Sequence, residues 1–484
     1  MAPEIYTLTE VQTVAQVHPF YNKDILYPPS SAAILKYREL AIDREKDFNF
    51  QQQPLLDKKK LYHAIARLTH DVNPQNTYRQ ASYMSITGGG SGGIPMMFAV
   101  DVHENRRQRA RMGDFLSLCS VINPTDVVLS THSSGGFYRS LDLTTEIMEN
   151  AGATVFSAGS YMPHAEVAMA LANYHINVLT GDGSQVIQVV HQISLLPQED
   201  RERIVLNKII YTSEPLTSPQ RVFTKSVLKD IKIFSIMGSA EMGPWAISSP
   251  ELTGEQSLDS NSTDFIFDTR SIIIEIFSPS VMDDATSLDM HLLSEGKTGL
   301  IVQTSLQRLR NPLVRYISGD VGSIHPLSNA AYAMIPEADR EHLRVLRMHG
   351  RDHRFSFKWY GAYFEFPKID AFMQEEQNGI LQWQIILDRL IGVPQSTLEI
   401  RLLRSPPRSG VVSDEALRKS LEFFFVVLPE NEHLIRILFI DSLEGFERSG
   451  TSRKLSNLLI GGIELALRIA GVFPNYMHEK TEEV

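Results

Sequence analysis

The chain has 484 residues, of which 43% are hydrophobic and 21% are charged, and its formal net charge is -11. These values are typical of a soluble globular protein with two or three domains, and the negative charge argues against nucleic acid as a partner because phosphate backbones would repel it. One cysteine, Cys119, can form neither an internal disulfide nor a zinc site by itself, and the sequence has no signal pattern and no membrane-spanning apolar run, so we expect a cytoplasmic protein without a membrane partner.

The first 80 residues read as a helical lead-in, with helices predicted over residues 31–46 and 58–68. Two extended segments follow at residues 83–86 and 96–102. They flank a glycine-rich stretch, so we expect a hairpin whose turn has the sequence Thr87, Gly88, Gly89, Gly90, Ser91, Gly92, Gly93, Ile94, Pro95.

This glycine-rich turn is suited to phosphate binding, because glycines can point successive N–H groups at one place and Thr87 and Ser91 add hydroxyl donors. The dinucleotide fingerprint is disfavoured, since that motif opens a helix and a strand follows here. A Walker-type loop is excluded, because no Gly-Lys-Ser/Thr sequence ends the stretch. A mobile surface turn is the alternative interpretation.

From residue 123 onward, strands and helices alternate, as is typical of a layered α/β domain with a largely parallel sheet. The predicted strands cover residues 126–131, 153–156, 176–179, 208–212 and 232–236, and the predicted helices cover residues 141–150 and 165–174. A helix before them carries Arg106, Arg107, Arg109 and Arg111, which we interpret as a solvated face or an aid to anion capture.

Ligands of such sheets gather beyond the carboxyl ends of the strands. Three polar loops fall at such ends: residues 133–136, residues 213–215 and residues 238–241. Further strands are predicted at residues 264–277 and 299–304.

A polar turn at residues 349–354 marks the domain boundary, which gives domains of residues 1–349 and 350–484. The second domain reads as a small α+β unit, with strands at residues 397–403 and 434–439 and helices at residues 414–424 and 455–469.

Taken in order, these stretches resemble the adenylate-forming (acyl- and aryl-CoA synthetase) superfamily, and within it the phenylacetate-CoA ligase-like branch. The glycine-rich turn resembles that family's phosphate loop, and residues 123–159 are similar to the segment after it. Ser213, Glu214 and Pro215 resemble the loop beside adenine, and residues 237–241 resemble the Tyr-Gly-x-Ser/Thr-Glu motif.

The resemblance continues in the second half of the chain. Residues 315–320 look like the Arg-Tyr-x-x-Gly-Asp segment. Gly350 and Arg351, followed by Lys358, Gly361 and Glu365, look like the hinge and first hairpin of a mobile C-terminal domain. Residues 452–455 fall where that domain carries its catalytic lysine, here Lys454.

The resemblance implies an α/β fold, with a large layered N-terminal adenylation domain and a smaller mobile α+β C-terminal domain. It also implies ATP, Mg²⁺ and coenzyme A as cofactors. The ATP-binding residues carried over from the family are Thr87, Gly88, Gly89, Gly90, Ser91, Gly93, Ser213, Glu214, Pro215, Gly238, Ser239, Ala240, Asp320 and Arg351.

The implied catalytic residues are Glu241, as the Mg²⁺ ligand, and Lys454, which would contact the attacking carboxylate and the α-phosphate. Lys358 and Gly361 would line the path of the thiol. Three of these residues also have a purely structural interpretation. Glu241 would be a solvated loop carboxylate, and Lys358 and Lys454 would be surface residues.

The same holds for two residues of the Arg-Tyr-x-x-Gly-Asp segment. Asp320 would accept hydrogen bonds from the ribose, with Arg351 as a donor to the same sugar, or it is a turn residue after glycine. Arg315 is equally well explained as a structural ion-pair partner.

The acid pocket is expected to be lined by apolar and aromatic side chains that suit an aryl or medium acyl carboxylate, or these residues are core. They are Phe137, Tyr138, Met242, Pro244 and Trp245. Four residues depart from the family pattern, and reduced or altered activity would follow if the lost contacts matter: Gly92, Met96, Met237 and Arg453.

Three functions remain open at the level of sequence. The first is adenylation of a carboxylic acid and transfer to coenzyme A. The second transfers the acyl group to an amine or a carrier protein, and the third is a degenerate relative that serves as a binding subunit. The acid, the acceptor, the pathway and the oligomeric state are not specified by these motifs.

Overall fold

The structure is a computed structural model. It describes residues 5–43, 50–86, 97–135, 137–213, 216–254, 262–279, 292–351, 356–359, 362–389, 396–407, 409–428, 431–447 and 458–460.

The described helices in chain order are α1 (Leu8–Gln16), α2 (Ser31–Asp43), α3 (Lys58–His70), α4 (Val102–Leu118), α5 (Ser140–Asn150), α6 (His164–Asn173), α7 (Gly183–Leu195), α8 (Gln198–Glu202), α9 (Ser218–Val227), α10 (Pro250–Thr253), α11 (Asn329–Met334), α12 (Glu337–Arg340), α13 (Phe366–Met373) and α14 (Asp414–Phe424).

The described strands are β1 (Ser82–Ile86), β2 (Met97–Asp101), β3 (Val127–Ser130), β4 (Ser134–Gly135), β5 (Tyr138–Arg139), β6 (Thr154–Ser157), β7 (Val178–Asp182), β8 (Lys208–Thr212), β9 (Lys232–Ser239), β10 (Gly243–Ser248), β11 (Thr263–Asp268), β12 (Ile272–Phe277), β13 (Gly299–Ser305), β14 (Tyr316–His325), β15 (Leu343–Arg351), β16 (Ser356–Trp359), β17 (Ala362–Glu365), β18 (Ile380–Arg389), β19 (Ser396–Arg404), β20 (Ile435–Phe439) and β21 (Leu458–Ile460).

Short polar side chains set the beginnings of several predicted helices. Asp57 accepts a hydrogen bond from the Lys60 amide at the start of α3. Asp101 accepts from the amides of His103 and Glu104, so the extended run predicted to residue 102 ends there and α4 begins at once. Such caps satisfy N–H groups that have no partner within a helix.

The described residues form two compact units. The first comprises the described residues up to Leu216 and from Thr224 to Arg351, and the second comprises those after Arg351 together with Thr217–Phe223.

The first unit is organised by an eleven-stranded sheet with the order β12-β13-β14-β15-β11-β10-β9-β8-β7-β3-β6. The strands from β9 to β6 are parallel, as the alternating pattern predicts. The remaining neighbours are antiparallel, so the prediction of a largely parallel sheet is wrong for the sheet as a whole. The run predicted as one strand at residues 264–277 is two strands, because Asp268 turns the chain by accepting from the Arg270 amide.

One face of the parallel strands is covered by α4 and α5, which the chain places between strands. Val128, Val178 and Ile210 from three neighbouring strands share a buried cluster with Leu116 of α4 and Ile147 of α5. Burial of each such aliphatic side chain stabilises the folded state by about 1.5–3 kcal/mol. The packing of α4 and α5 therefore stabilises the sheet that carries the strand-end loops.

The helical lead-in is part of the first unit. Val11 and Val14 of α1 share a buried cluster with Leu309 and Val314. Leu56, ahead of α3, donates its N–H to the carbonyl of Arg315 at 2.9 Å and accepts from the Ile317 amide at 3.0 Å. The segment before α3 is therefore fixed beside β14.

The second unit contains a four-stranded sheet of order β20-β19-β18-β21 with α13 and α14. Its buried cluster includes Ile385, Ile400, Leu417 and Leu421. The predicted α+β character is confirmed. The helix predicted over residues 455–469 is wrong at Leu458–Ile460, which pair in parallel with β18, since pairing with a buried strand outweighs local helix preference. No helix among the described residues combines the length and apolar character needed to cross a bilayer.

Candidate active site

The carboxyl ends of the parallel strands β3, β7, β8 and β9 meet at one edge of the large sheet. Polar side chains gather there: the buried His132 has Nε2 3.3 Å from Oγ1 of Thr180 and Nδ1 3.7 Å from Oδ1 of Asp182. Thr212 at the end of β8 donates to the same Asp182 oxygen at 3.4 Å. This edge is where open α/β sheets bind ligands.

Glu241 lies at the same edge, in the turn between β9 and β10. The sequence placed the strand end at residue 236 and a loop over residues 238–241, but β9 runs on through Gly238 to Ser239 and forms a hairpin with β10. Gly238 and Ser239 are exposed, and Ala240 and Glu241 belong to the turn. The Ser239 hydroxyl accepts from the Met242 amide at 3.0 Å and closes this turn.

The Glu241 carboxylate is held inside the first unit. The residue is 6% exposed, and its Oε1 accepts from the hydroxyl of Tyr62 at 2.9 Å and from that of Tyr316 at 3.3 Å. Nζ of Lys58 lies 3.8 Å from the same oxygen. The interpretation of Glu241 as a solvated loop carboxylate is therefore wrong. Burial and the nearby Glu241 charge raise the pKa of Tyr316, which keeps its hydroxyl a donor.

The backbone of this turn rests on two buried side chains that the sequence did not single out. Arg308 donates to the carbonyl of Glu241, and Gln108 of α4 donates to the carbonyl of Met242 at 2.6 Å. Arg308 also donates to Oε1 of Gln108 at 3.1 Å. Burial lowers the pKa of Arg308 to about 10, so the guanidinium is still charged at neutral pH.

One signal in the sequence could have indicated this support. The segment from Leu306 to Asn311 carries two arginines and an asparagine, and it ends three residues before the Arg-Tyr-x-x-Gly-Asp stretch. In the structure every residue of this segment is buried. Buried charges require partners, so a polar run inside a region that the fold encloses indicates a hydrogen-bonded support.

Asp320 and Arg351 occupy opposed positions on the antiparallel strands β14 and β15. Asp320 is half-buried and follows Gly319. Gly319 has φ of 84°, a backbone conformation that favours glycine because it has no Cβ. The charge of Asp320 contributes to raising the pKa of Tyr316, although burial and Glu241 contribute more. Both carboxylates therefore favour the neutral form of the Tyr316 hydroxyl.

Arg315, four residues before Gly319, is a structural residue. It is 2% exposed, and its Nε and Nη2 donate to the two carboxylate oxygens of Glu275 at 3.0 and 3.2 Å. Its Nη1 donates to the carbonyls of Gln51 and Gln53, each at 2.8 Å. The ion-pair interpretation of Arg315 is thus the one that the geometry supports.

The residues expected to line an acid pocket occupy different environments. Met242, Pro244 and Trp245 are buried, and Trp245 makes an edge-to-face contact with Phe267 at 6.3 Å between ring centroids. Tyr138 is half-buried on β5, whereas Phe137 is 71% exposed with φ of 66°. Their common role as a pocket stays a prediction.

Ser213 is the described member of the loop expected beside adenine. It is exposed, has φ of 72°, and its hydroxyl lies 3.2 Å from that of Thr212. Glu214 and Pro215 lie outside the described residues.

Other predicted residues also lie outside the described part of the chain. They are Thr87, Gly88, Gly89, Gly90, Ser91, Gly92, Gly93 and Met96 of the glycine-rich stretch, Gly361, and Arg453 and Lys454. Lys358 lies on β16. The strands that flank the glycine-rich stretch are paired as a hairpin requires, with Ile86 opposite Met97.

The arginine run of α4 is not uniformly a solvated face. Arg106 is exposed, but Arg109 is 3% exposed and donates to Asp142 at 3.0 Å and to Glu146 at 2.6 Å. Its guanidinium also lies 4.6 Å from the ring centre of Tyr83 on β1. Arg109 thus ties α4 to α5 and β1, which helical spacing alone did not indicate.

No protein-family model matches the chain, and no curated protein matches it. Solved structures do match, and they show that the chain has the fold of the adenylate-forming enzymes, with a large α/β domain and a smaller C-terminal domain. This confirms the fold that the sequence motifs implied. The phenylacetate-CoA ligase-like branch stays a prediction.

The matching structures include those of 2-hydroxyisobutyryl-CoA ligase. In the postadenylation state in complex with R3-HIB-AMP, it matches with a TM-score of 0.60 and 17% identity over 96% of this chain and 90% of that chain. In an open conformation in complex with 2-HIB-AMP and CoA, it matches with a TM-score of 0.53 and 17% identity over 93% of this chain and 89% of that chain. Similarity at this identity establishes a common fold.

Proposed function

We propose that the protein is an ATP- and Mg²⁺-dependent acid–thiol ligase. It activates a carboxylic acid as an acyl-adenylate and transfers the acyl group to coenzyme A as a thioester. The observation that carries the proposal is the Glu241 carboxylate, held by Tyr62 and Tyr316 at the strand edge where this fold class binds ligands. The match to a ligase described with acyl-AMP and CoA supports the same chemistry.

In the first half-reaction, a carboxylate oxygen of the acid attacks the α-phosphorus of ATP, and the bond to pyrophosphate breaks. In the second, the thiol sulfur of coenzyme A bonds to the acyl carbon, loses its proton, and AMP leaves with the electron pair of the acyl–oxygen bond. Charge develops on phosphate oxygens, so positioned groups and electrostatics supply most of the catalysis.

Glu241 fits the role of Mg²⁺ ligand. No group of three or more His, Cys, Asp or Glu in the described ranges could hold a metal ion by itself. Mg²⁺ at nucleotide sites commonly takes one carboxylate together with phosphate oxygens and water, and a single buried carboxylate meets that need. The ion, when bound, would neutralise charge on the phosphates.

Asp320 and Arg351 would bind the ribose from opposed strand positions, the first as acceptor and the second as donor. The adenine would lie beside the segment Ser213, Glu214 and Pro215 and the strand end Gly238, Ser239 and Ala240. A carboxylate accepts readily from vicinal hydroxyl groups, which is the reason for assigning the sugar to Asp320.

Further residues take the roles that the motifs imply. The glycine-rich stretch from Thr87 to Gly93 would bind the outer phosphates through N–H groups and hydroxyls, and Lys454 would contact the attacking carboxylate and the α-phosphate. Lys358 and Gly361 would line the thiol's path in a mobile domain of residues 350–484. The acid is an aryl or medium acyl carboxylate, as in the phenylacetate-CoA ligase-like branch, and the enzyme is cytoplasmic.

The test is carboxylate-dependent exchange of labelled pyrophosphate into ATP over a panel of aryl and acyl acids. Wild type is compared with Glu241→Gln and Lys454→Ala. Lys419→Ala is the control, because that lysine is 72% exposed and its ion pair within the described ranges is with Glu415, one helical turn away. We expect exchange with one acid class, loss in both test variants and no change in the control.

The two half-reactions are then separated by adding coenzyme A and measuring AMP release. Release that depends on coenzyme A supports the thioester product. Pyrophosphate exchange without any effect of coenzyme A on AMP release would contradict coenzyme A as the acceptor. No exchange with any acid of a broad panel would contradict adenylation itself.

A further inference from the structure

The Glu241 carboxylate is approached by hydroxyl groups from two distant parts of the chain. Tyr62 belongs to α3 in the N-terminal helical region, and Tyr316 begins β14. Both donate to Oε1, at 2.9 and 3.3 Å, and the Lys58 ammonium is 3.8 Å from that oxygen. Among the described residues, Oε2 accepts no hydrogen bond.

We propose that Tyr62 and Tyr316 are positioning residues that fix the rotation of the Glu241 carboxylate, so that Oε2 is presented to the metal–nucleotide complex. The inference rests on the proposed function and deepens it, because it assigns to the N-terminal helical region a part in metal–nucleotide binding.

The torsion of a terminal carboxylate is soft, and an unrestrained glutamate samples a broad range of it. Two donors and one cation on the same oxygen restrict that range. Hydrogen bonds to an ionised acceptor are about twice as strong as those between neutral groups, so the restriction is substantial.

The two tyrosines are themselves anchored. Tyr316 is 2% exposed, and Leu56 is hydrogen-bonded on both sides of it, to Arg315 and Ile317. Asp57, the next residue, caps α3, and Tyr62 follows within the first two turns of that helix. The strand therefore fixes where α3 starts, and hence where Tyr62 reaches Glu241.

The turn that carries Glu241 is also held from behind. Arg308 and Gln108 bind its carbonyl groups, so the backbone is fixed independently of the carboxylate. With the backbone fixed, the tyrosine hydroxyls act on the side-chain torsions of Glu241 and so on the orientation of its carboxylate. A positioning residue that acts in this way affects metal binding more than folding.

The experiment measures the dissociation constant of Mn²⁺, as a substitute for Mg²⁺, from the complex of the full chain with ATP. Electron paramagnetic resonance is used and no acid is present. Tyr62→Phe, Tyr316→Phe and Glu241→Gln are compared with the wild type and with Tyr62→Phe/Glu241→Gln. The matched control is Tyr27→Phe, which removes a tyrosine hydroxyl that donates to another carboxylate, Asp71, at 2.8 Å.

We expect each single tyrosine variant to weaken Mn²⁺ binding about tenfold, the effect of one hydrogen bond to a charged group. The Tyr62→Phe change should have no further effect once Glu241 is replaced by Gln, because it acts through that carboxylate. Tyr27→Phe should leave Mn²⁺ binding unchanged.

Two other outcomes separate the inference from the proposed function. If Glu241→Gln leaves Mn²⁺ affinity unchanged, the proposed metal ligand is wrong, and the positioning role is overturned with it. If Glu241→Gln weakens binding while Tyr62→Phe does not, or if Tyr62→Phe weakens it equally in the Glu241→Gln background, the positioning role alone is overturned. Tyr62 is half-buried, so its variant remains informative even where Tyr316→Phe impairs folding.

Discussion

Asp320 and Arg351 face each other across the antiparallel strands β14 and β15. The two residues are far apart in sequence, and they are the pair to which the motifs assign a common ligand. The first prediction tests that assignment.

Asp320→Asn should reduce the preference for ATP over 2′-deoxy-ATP. A carboxylate that accepts from a ribose hydroxyl strengthens nucleotide binding by about tenfold for one charge-assisted hydrogen bond. This gain in affinity is lost when either the charge or the hydroxyl is removed. The measurement is the KM for each nucleotide in pyrophosphate exchange. Asp388→Asn, at an exposed position of β18, is the control. An unchanged preference in Asp320→Asn would remove Asp320 from the ribose site.

Gly243→Ala should displace the turn that carries Glu241. Gly243 has φ of 70°, and a Cβ there would clash with Oε1 of Gln108, which supports the same turn. We expect lower stability together with weaker metal–nucleotide binding.

Gly254→Ala separates backbone strain from this clash. Gly254 has φ of 80°, and no atom of the described residues lies within 4 Å of an added Cβ. Its variant should show the cost of the strained backbone alone, of the order of 1–3 kcal/mol, with normal nucleotide binding. Equal thermal shifts and equal nucleotide affinities in the two variants would argue against contact between Gly243 and Gln108 as the decisive effect.

The sequence allowed the alternating part of the fold to be predicted well, because local patterns determine it. Helix α14 and strand β8 have the bounds that hydrophobic spacing gave. The antiparallel half of the large sheet was not predicted, since strand partners such as β11 and β15 are distant in sequence. Likewise β21 owes its conformation to its pairing with β18 rather than to its own residues.

Within the candidate site, the motifs identified Glu241 and Asp320 but not the residues that surround them. Tyr62, Gln108 and Arg308 come from three separate segments, and only the folded chain brings them to the β9–β10 turn. A tyrosine in an amphipathic helix, or an arginine in a polar run, is compatible with several structural roles. Their roles therefore depend on tertiary contacts that no local pattern specifies.

Arg315→Ala should destabilise the first unit strongly. Removing the guanidinium leaves Glu275 buried without its bidentate partner and frees the carbonyls of Gln51 and Gln53, which typically costs about 3–5 kcal/mol. Urea unfolding, followed by tryptophan fluorescence, measures the loss. Arg315→Ala/Glu275→Ala should be less damaging than the sum of both single variants, because the unpaired charge is gone. Additive losses would show that the pair does not act as a unit.

Glu104 should make stability depend on pH. Its side chain is 5% exposed, and although it accepts from the amides of Leu309 and Arg310, burial raises its pKa to about 7 from the ordinary value of 4.5. Between those values the folded state holds a proton that the unfolded state has released. Unfolding free energy therefore falls as pH rises from about 4.5 to 7, by up to about 3 kcal/mol, and this contribution is constant above that range.

Glu104→Gln should remove this part of the pH dependence. The amide oxygen can still accept from the Leu309 and Arg310 amides, while the side chain no longer carries a charge that burial disfavours. The experiment compares urea unfolding of the variant and the wild type at pH 5, 6, 7 and 8, and the difference between them should grow with pH until about 7. Glu415→Gln, exposed on α14, provides the control. A constant difference across these pH values would mean that Glu104 titrates as an ordinary carboxyl, with its buried hydrogen bonds offsetting the loss of hydration.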